Sequence, residues 1–268
     1  MSMVEALVFD VDGTLADTEE VHRMAFNLAF EQLGLGWHWS QAEYRALLAV
    51  TGGKERMKAY IGSLPLGASE KKRLHERVPA IHAAKTQHYT DIARRGGIEL
   101  RTGVLRFLEE AQRAGLRLAI ASTTTAVNID ALLQATLGPR GLTMFDVIAC
   151  GDQVRAKKPA SDIYLLALDT LGVPPERAIA IEDSPNGLRS ALGAGLWTLV
   201  TPTFWTEGGD FSGAGLVLPS LGDPGQPLPG EPGGRLESAA WLGIDELLQV
   251  ATVAPPLNAV QALYRENS

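Results

Sequence analysis

The chain has 268 residues, 46% hydrophobic and 21% charged, with a formal net charge of −7. That length suits one or two globular domains with a sizeable core, and the acidic balance argues against broad, non-specific nucleic-acid binding. A single cysteine, Cys150, excludes an internal disulfide framework and fits a reducing compartment. No run is long and apolar enough for a membrane span and the first residues carry no secretory pattern, so a cytoplasmic protein with no membrane partner is expected.

The first short apolar run, residues 6–9, reads as a buried strand. The interval from 15 to about 100 then reads as helices at 19–33, 41–48, 54–61, 70–77 and 81–94, a separate unit inserted after the first strand. Its candidate hinges are Asp17-Thr18 and Arg101-Thr102-Gly103. Within it, residues 50–101 hold 11 Lys/Arg against 5 Asp/Glu; such a stretch can attract an anion, but on charge alone it reads as a solvated helix face. Beyond it, apolar runs at 116–121, 147–150, 178–181, 197–200 and 216–218 alternate with helical patterns at 104–114, 127–135, 162–171 and 185–194. Unalternating runs separated by helices predict an α/β fold, a Rossmann-like parallel sheet with helices on both faces. Ser184 and Pro185 supply a cap and a first helical position. Residues 222–235, rich in Pro and Gly, read as a mobile surface loop. A helix at 244–250 follows, and the tail from Ala254 is a candidate for another.

Ligands of such a sheet bind beyond the C-terminal strand ends. The first strand is followed by Asp10-Val11-Asp12-Gly13-Thr14, the second by Ser122-Thr123-Thr124 and the fourth by Glu182-Asp183-Ser184; Lys157-Lys158-Pro159 precedes the fourth. Carboxylates gathered at one sheet edge repel one another unless a cation lies between them, and oxygen donors suit Mg²⁺. With the metal present, a phosphate monoester is a fitting substrate. Ser122, Thr123, Lys158 and backbone N–H groups at a helix start are the candidates to hold its oxygens. Asp10 is the candidate nucleophile, and Asp12 the group that protonates the leaving oxygen and later activates water. Thr14 is expected to position Asp12 or the turn.

These segments, in this order and spacing, resemble the motifs of the haloacid dehalogenase superfamily: residues 10–15 the first, Ser122 the second, Lys158 the third, Glu182-Asp183 the fourth. The resemblance implies a core formed by residues 1–15 and 102–268, a phosphoaspartate intermediate, and Mg²⁺ held by Asp10, the backbone carbonyl of Asp12, and Asp183, with Glu182 supporting from behind. It makes residues 16–101 a helical cap like that of the phosphatase and beta-phosphoglucomutase branch. Residues 16–23, Tyr44-Arg45 and 51–56 are similar to the CbbY group, which is associated with dephosphorylating xylulose 1,5-bisphosphate. The cap residues singled out as substrate contacts are Glu19, His22, Tyr44, Gly52, Gly53, Lys54 and Arg56, the last four as a cradle for a second phosphate.

The expected function is therefore a Mg²⁺-dependent, monomeric sugar-phosphate phosphatase, with a sugar bisphosphate as substrate; the alternative is a phosphosugar mutase on the same aspartates. A phospho-accepting signalling module is disfavoured because its acceptor follows a later strand, and a dehalogenase because it has no use for Asp12 and Asp183. His38, His75, His82 and His88 show no metal-like grouping and read as surface or packing residues; Cys150 reads as buried packing.

Overall fold

In the computed structural model residues 4–229 and 240–253 are described. The strands are β1 (Ala6–Phe9), β2 (Arg117–Ala121), β3 (Val147–Ala149), β4 (Ala178–Glu182), β5 (Trp197–Val200) and β6 (Leu216–Val217). They form one parallel sheet in the order β3-β2-β1-β4-β5-β6. The expected α/β architecture is present. Between β1 and β2 come the helices α1 (Glu19–Gln32), α2 (Gln41–Leu47), α3 (Gly53–Ser63), α4 (Ala68–Arg94) and α5 (Val104–Arg113). The remaining helices are α6 (Ala126–Leu137), α7 (Asp162–Leu171), α8 (Pro185–Gly193) and α9 (Ile244–Val253).

The period of two along each strand divides the core by side-chain size. Leu7, Phe9, Leu118, Ile120, Ile179 and Ile181 face a large cluster shared with α5, α6 and α9. Ala6, Val8, Ala119, Ala121 and Ala180 face the other way, and their small volume admits α7 through Ile163, Tyr164, Ala167 and Leu168. The inserted helical unit carries most of a third cluster, built on Phe26, Phe30, Trp39, Tyr44, Met57, Ile61, Val78 and Ile81, with Trp205 joining it from the loop after β5. Both crossings to this helical unit are joined near the end of β1, where Ala16 bridges Leu100 and the Arg101 N–H donates to the Leu15 carbonyl (2.9 Å).

Two readings of the sequence are corrected. Residues 68–94 form one helix, not two separated near Pro79. Proline removes one backbone bond, but buried Val78, Ile81, Lys85 and Tyr89 carry the packed face straight past it. Residues 222–229 do form a loop exposed at Pro224, Gly225, Gln226 and Pro227, anchored where Leu228 is buried in the main cluster and its N–H donates to the Ala240 carbonyl (2.7 Å). Residues 230–235 and the tail from Ala254 lie outside the described residues. The basic stretch 50–101 is not simply a solvated face, since Arg56 and Lys85 are buried. Among the described residues no helix is long and apolar enough to cross a membrane.

Candidate active site

Strand order sets the site. β1 lies between β2 and β4, where successive connections leave in opposite directions, and the crevice at such a switch point is the usual binding place. Phe9 pairs with both Ile120 and Ile181, which brings Asp10, Ser122 and the Glu182-Asp183 pair to one edge. The chain turns at once after Asp10: the N–H groups of Thr14 and Leu15 both donate to the Val11 carbonyl (3.2 and 2.9 Å). Gly13 has φ of +86°, and a Cβ there would stand 2.3 Å from Asp183 Oδ2. Both the backbone conformation and the close approach of Asp183 require glycine.

Lys158 is the electrostatic centre. Its buried ammonium donates to Asp10 Oδ1 and to Glu182 Oε1, each at 2.6 Å. Glu182 Oε1 also accepts from the Tyr164 hydroxyl (2.6 Å), and Oε2 from the Asp183 N–H (3.2 Å). Gly187 leaves room for this carboxylate, since a Cβ there would lie 1.9 Å from Oε2. Burial pushes the Asp10 carboxyl up to about 8 against the pull of Lys158, with Glu182 and Asp12 adding repulsion. Burial, then Glu182 and Asp10, likewise hold Asp183 well above the usual carboxylate range.

Among the described residues, Asp10, Glu182 and Asp183 are the group whose ligand oxygens all lie within 4.8 Å of one another. Glu182 is already committed to three donors, so Asp10 and Asp183 are the carboxylates available to a cation. Buried, mutually repelling, all-oxygen donors fit a small hard ion such as Mg²⁺.

Asp12 is held differently. Thr18 donates to its Oδ1 at 2.5 Å and His22 Nε2 lies 2.8 Å from the same oxygen. Burial favours the neutral acid, but His22 and Thr18 outweigh it and hold the carboxyl at about 2. Behind His22, Lys85 Nζ lies 2.5 Å from Nδ1, and Tyr89 stacks on the imidazole at 4.3 Å. With Lys85 donating to Nδ1, the ring proton sits on Nε2 against Asp12.

Asp10, Asp12, His22, Lys158 and Asp183 line one cavity of about 500 Å³ together with Glu19, Gly52, Gly53, Arg56, Ser122 and Thr123. Two candidates stand elsewhere. Tyr44 does not line the cavity; fully buried, it donates to Glu19 Oε2 (2.8 Å) and accepts from Arg56 Nη1 (2.9 Å). Lys54, which does not line the cavity either, pairs with Asp152 at 3.1 Å. The Thr14 hydroxyl, expected to position Asp12 or the turn, is buried without a partner. Conversely, the cavity wall includes Arg45, His82, Lys85, Asn186 and Trp205. His82, which in sequence reads as a surface or packing residue, thus faces the cavity. Lys85 was legible: Val78, Ile81 and Tyr89 share its helical stripe, which makes it a cation on an apolar face.

The sequence profile of the haloacid dehalogenase-like hydrolases matches residues 4–195. The chain belongs to that family of hydrolases. Within it, CbbY from Cupriavidus necator is 49% identical over 226 residues, covering 84% of this chain and 89% of that one. The crystal structure of CbbY from Rhodobacter sphaeroides in complex with phosphate superposes with a TM-score of 0.75 at 49% identity, over 81% of this chain and 95% of the other. A D10N variant of the Rhodobacter protein in complex with xylulose 1,5-bisphosphate is similar to the same degree, with a TM-score of 0.75 at 48% identity over the same shares. The hydrolase family thus has, in its CbbY members, relatives matching this chain across both the sheet and the inserted helices.

Proposed function

We propose that the chain is a Mg²⁺-dependent phosphatase that removes one phosphate from a sugar bisphosphate, of which xylulose 1,5-bisphosphate is the first to test, through a phosphorylated Asp10. The observation that carries this reading is that two sets of groups suited to a phosphate line one cavity. Asp10, Ser122, Lys158 and Asp183 form one set; Arg56 and the Gly52-Gly53 start of α3 form the other. The bisphosphate complex of the Rhodobacter relative supports the same substrate class.

In this reading residues 16–101 act as a cap closing on the core of residues 1–15 and 102–268. Lys158 holds Asp10 Oδ1, which leaves Oδ2 to attack phosphorus. Lys158, Ser122 and Thr123 bind the phosphoryl oxygens. Mg²⁺ held by Asp10, Asp183 and the Asp12 carbonyl would supply the positive charge that lets a dianion approach a carboxylate. Asp12 has both its donors on Oδ1, so Oδ2 is the atom that moves the proton. The arriving dianion raises its proton affinity, so that Oδ2 takes up a proton from solvent as substrate binds; Asp12 then gives that proton to the leaving sugar oxygen as the sugar O–P bond breaks. Once ionised, it takes a proton from the water that attacks the phosphoaspartate, releasing phosphate and restoring Asp10.

The test is a panel of sugar mono- and bisphosphates with Mg²⁺, ranked by kcat/KM from released phosphate. A bisphosphate is expected to rank first. Isomer formation without phosphate release would make the protein a mutase and overturn the reading. Arg56→Ala is expected to raise KM for the preferred bisphosphate about 10–100-fold, the loss of one charge-assisted hydrogen bond. A monophosphate should be affected far less, and equal losses would remove Arg56 from the second-phosphate end.

Metal removal has its own signature. Asp10 binds its proton more tightly folded (about 8) than at its ordinary value of 3.8, so the folded state holds more protons and stability falls as pH rises between the two. His82, held down at about 3 by burial, has the opposite slope only below its ordinary 6.5, and Lys85, lowered by burial to about 8, only above that. In chelator, thermal stability is therefore expected to fall between about pH 6.5 and 8. Mg²⁺ should flatten that slope and restore activity. A flat profile in chelator would count against the charge repulsion argued for the site.

A further inference from the structure

The helical unit's aromatic cluster contains, among the described residues, one member from outside residues 16–101: Trp205, on the loop after β5. The indole is 6% exposed and meets the Tyr44 ring edge-on at 5.6 Å and 90°. Tyr44 in turn holds Glu19 and Arg56, both of which line the cavity. We propose that Trp205 is a positioning residue for substrate recognition: borne by the core, it seats in the helical unit and, through Tyr44, fixes the Glu19 and Arg56 side chains that meet the substrate.

The loop is built to hold that indole. Thr203 organises its turn: its hydroxyl accepts from the Trp205 N–H (3.1 Å), and its carbonyl from the N–H groups of Thr206 and Glu207 (3.1 and 2.8 Å). The loop's base is gripped by Arg101, from the return crossing of the helical unit. That guanidinium donates to the carbonyls of Thr201 (2.6 Å), Pro202 (2.9 Å) and Gly13 (2.5 Å). The same side chain thus ties the hinge, the turn after Asp10 and the Trp205 loop. At the loop's tip Arg45 donates to the Glu207 carbonyl (3.0 Å) and lies 5.2 Å from the Phe204 ring. A loop fixed at its base and tip transmits the closing of the helical unit to Tyr44, because a packed aromatic contact has few alternative arrangements.

This rests on the sugar-bisphosphate reading, and the experiment separates the two. Steady-state kinetics are measured on the wild-type chain, Trp205→Ala, Trp205→Phe, Tyr44→Phe and the double variant Trp205→Ala/Tyr44→Phe, with the best bisphosphate of the panel and Mg²⁺. Wild-type chain that hydrolyses no sugar phosphate would defeat the functional reading itself. With wild-type turnover established, Trp205→Ala is expected to raise KM about tenfold, equivalent to about 1.4 kcal/mol, while kcat changes less than about threefold. Trp205→Phe should recover most of the loss, since an edge-on contact needs a ring and not the indole nitrogen. In the Tyr44→Phe background, which lacks the hydroxyl handle, Trp205→Ala should add little. An unmoved KM, effects that add fully with Tyr44→Phe, or a lowered melting temperature with no change in KM at the assay temperature would each overturn the positioning role. Trp205→Phe carries the test if Trp205→Ala does not fold.

Discussion

Asp10→Asn is expected to lower kcat by at least about 10⁴-fold, because the amide oxygen is too poor a nucleophile to take the phosphoryl group. The fold should survive, and in metal-free buffer near pH 8 the variant should be more stable than the wild type. The reason lies in the charges around it. Asp10 is buried beside Glu182 and Asp183 with the ammonium of Lys158 shared between it and Glu182, and burial with that repulsion raises its carboxyl to about 8. An amide of the same shape keeps an acceptor for Lys158 and removes one of the repelling charges. Two measurements check this. Acid-quenched samples incubated with labelled bisphosphate should show no phosphate bound to the variant chain, and thermal melts should show its stability falling less steeply than the wild type's from about pH 6.5 to 8. Turnover near the wild-type rate would remove Asp10 from the nucleophile's position. Calorimetry on the same variant should still register bisphosphate binding, since Lys158, Arg56 and Ser122 are untouched.

The parts of this molecule that were legible in the sequence are those where one short segment carries its own signal. The apolar runs became strands because a strand buried on both faces has no alternation to hide. The acids after β1 and β4 were legible because a parallel sheet delivers its strand ends to a common edge. What escaped depends on who packs against whom. Pro79 reads as a helix breaker, yet the buried face of α4 continues through it. Lys54 and Arg56 look alike in sequence, both basic beside the Gly52-Gly53 turn. The structure gives Arg56 to Tyr44 and the cavity wall, and Lys54 to Asp152 outside the cavity lining. Tyr44 reads in sequence as a substrate contact, but its hydroxyl is enclosed between Glu19 and Arg56. Trp205 had no local signal at all. It lies in a loop without periodicity, and its neighbours Phe26, Trp39 and Tyr44 are more than 160 positions away.

Lys158→Ala should damage stability and catalysis together. The side chain supplies the buried ammonium that both Asp10 and Glu182 accept at 2.6 Å. Its own pKa is raised because those two carboxylates outweigh the cost of burial. Removing it leaves two buried acids facing one another, and breaking a buried ion pair from one side typically costs about 3–5 kcal/mol. For a chain of this size that lowers the melting temperature by roughly 6–20 °C. Tyr164→Phe is the control. It takes one neutral donor from Glu182 while the charges stay paired, and about 1–3 kcal/mol is expected from the under-satisfied acceptor. Catalysis suffers by two routes in Lys158→Ala. The phosphoryl oxygens lose a cation, worth about 10²–10³-fold by analogy with other preorganised donors. Asp10 also loses the attraction that opposes its protonation, so more of the nucleophile is neutral at pH 7. Activity remaining in the variant should therefore climb as pH rises above 8, where the carboxylate is recovered, while the wild type gains less. Mg²⁺ should restore part of the lost stability, because it neutralises the same carboxylates from the other side. A Lys158→Ala chain that melts within 2 °C of the wild type, with or without the metal, would mean that solvent or a neighbouring group already compensates the acids. The electrostatic account of this edge of the sheet would then have to be abandoned.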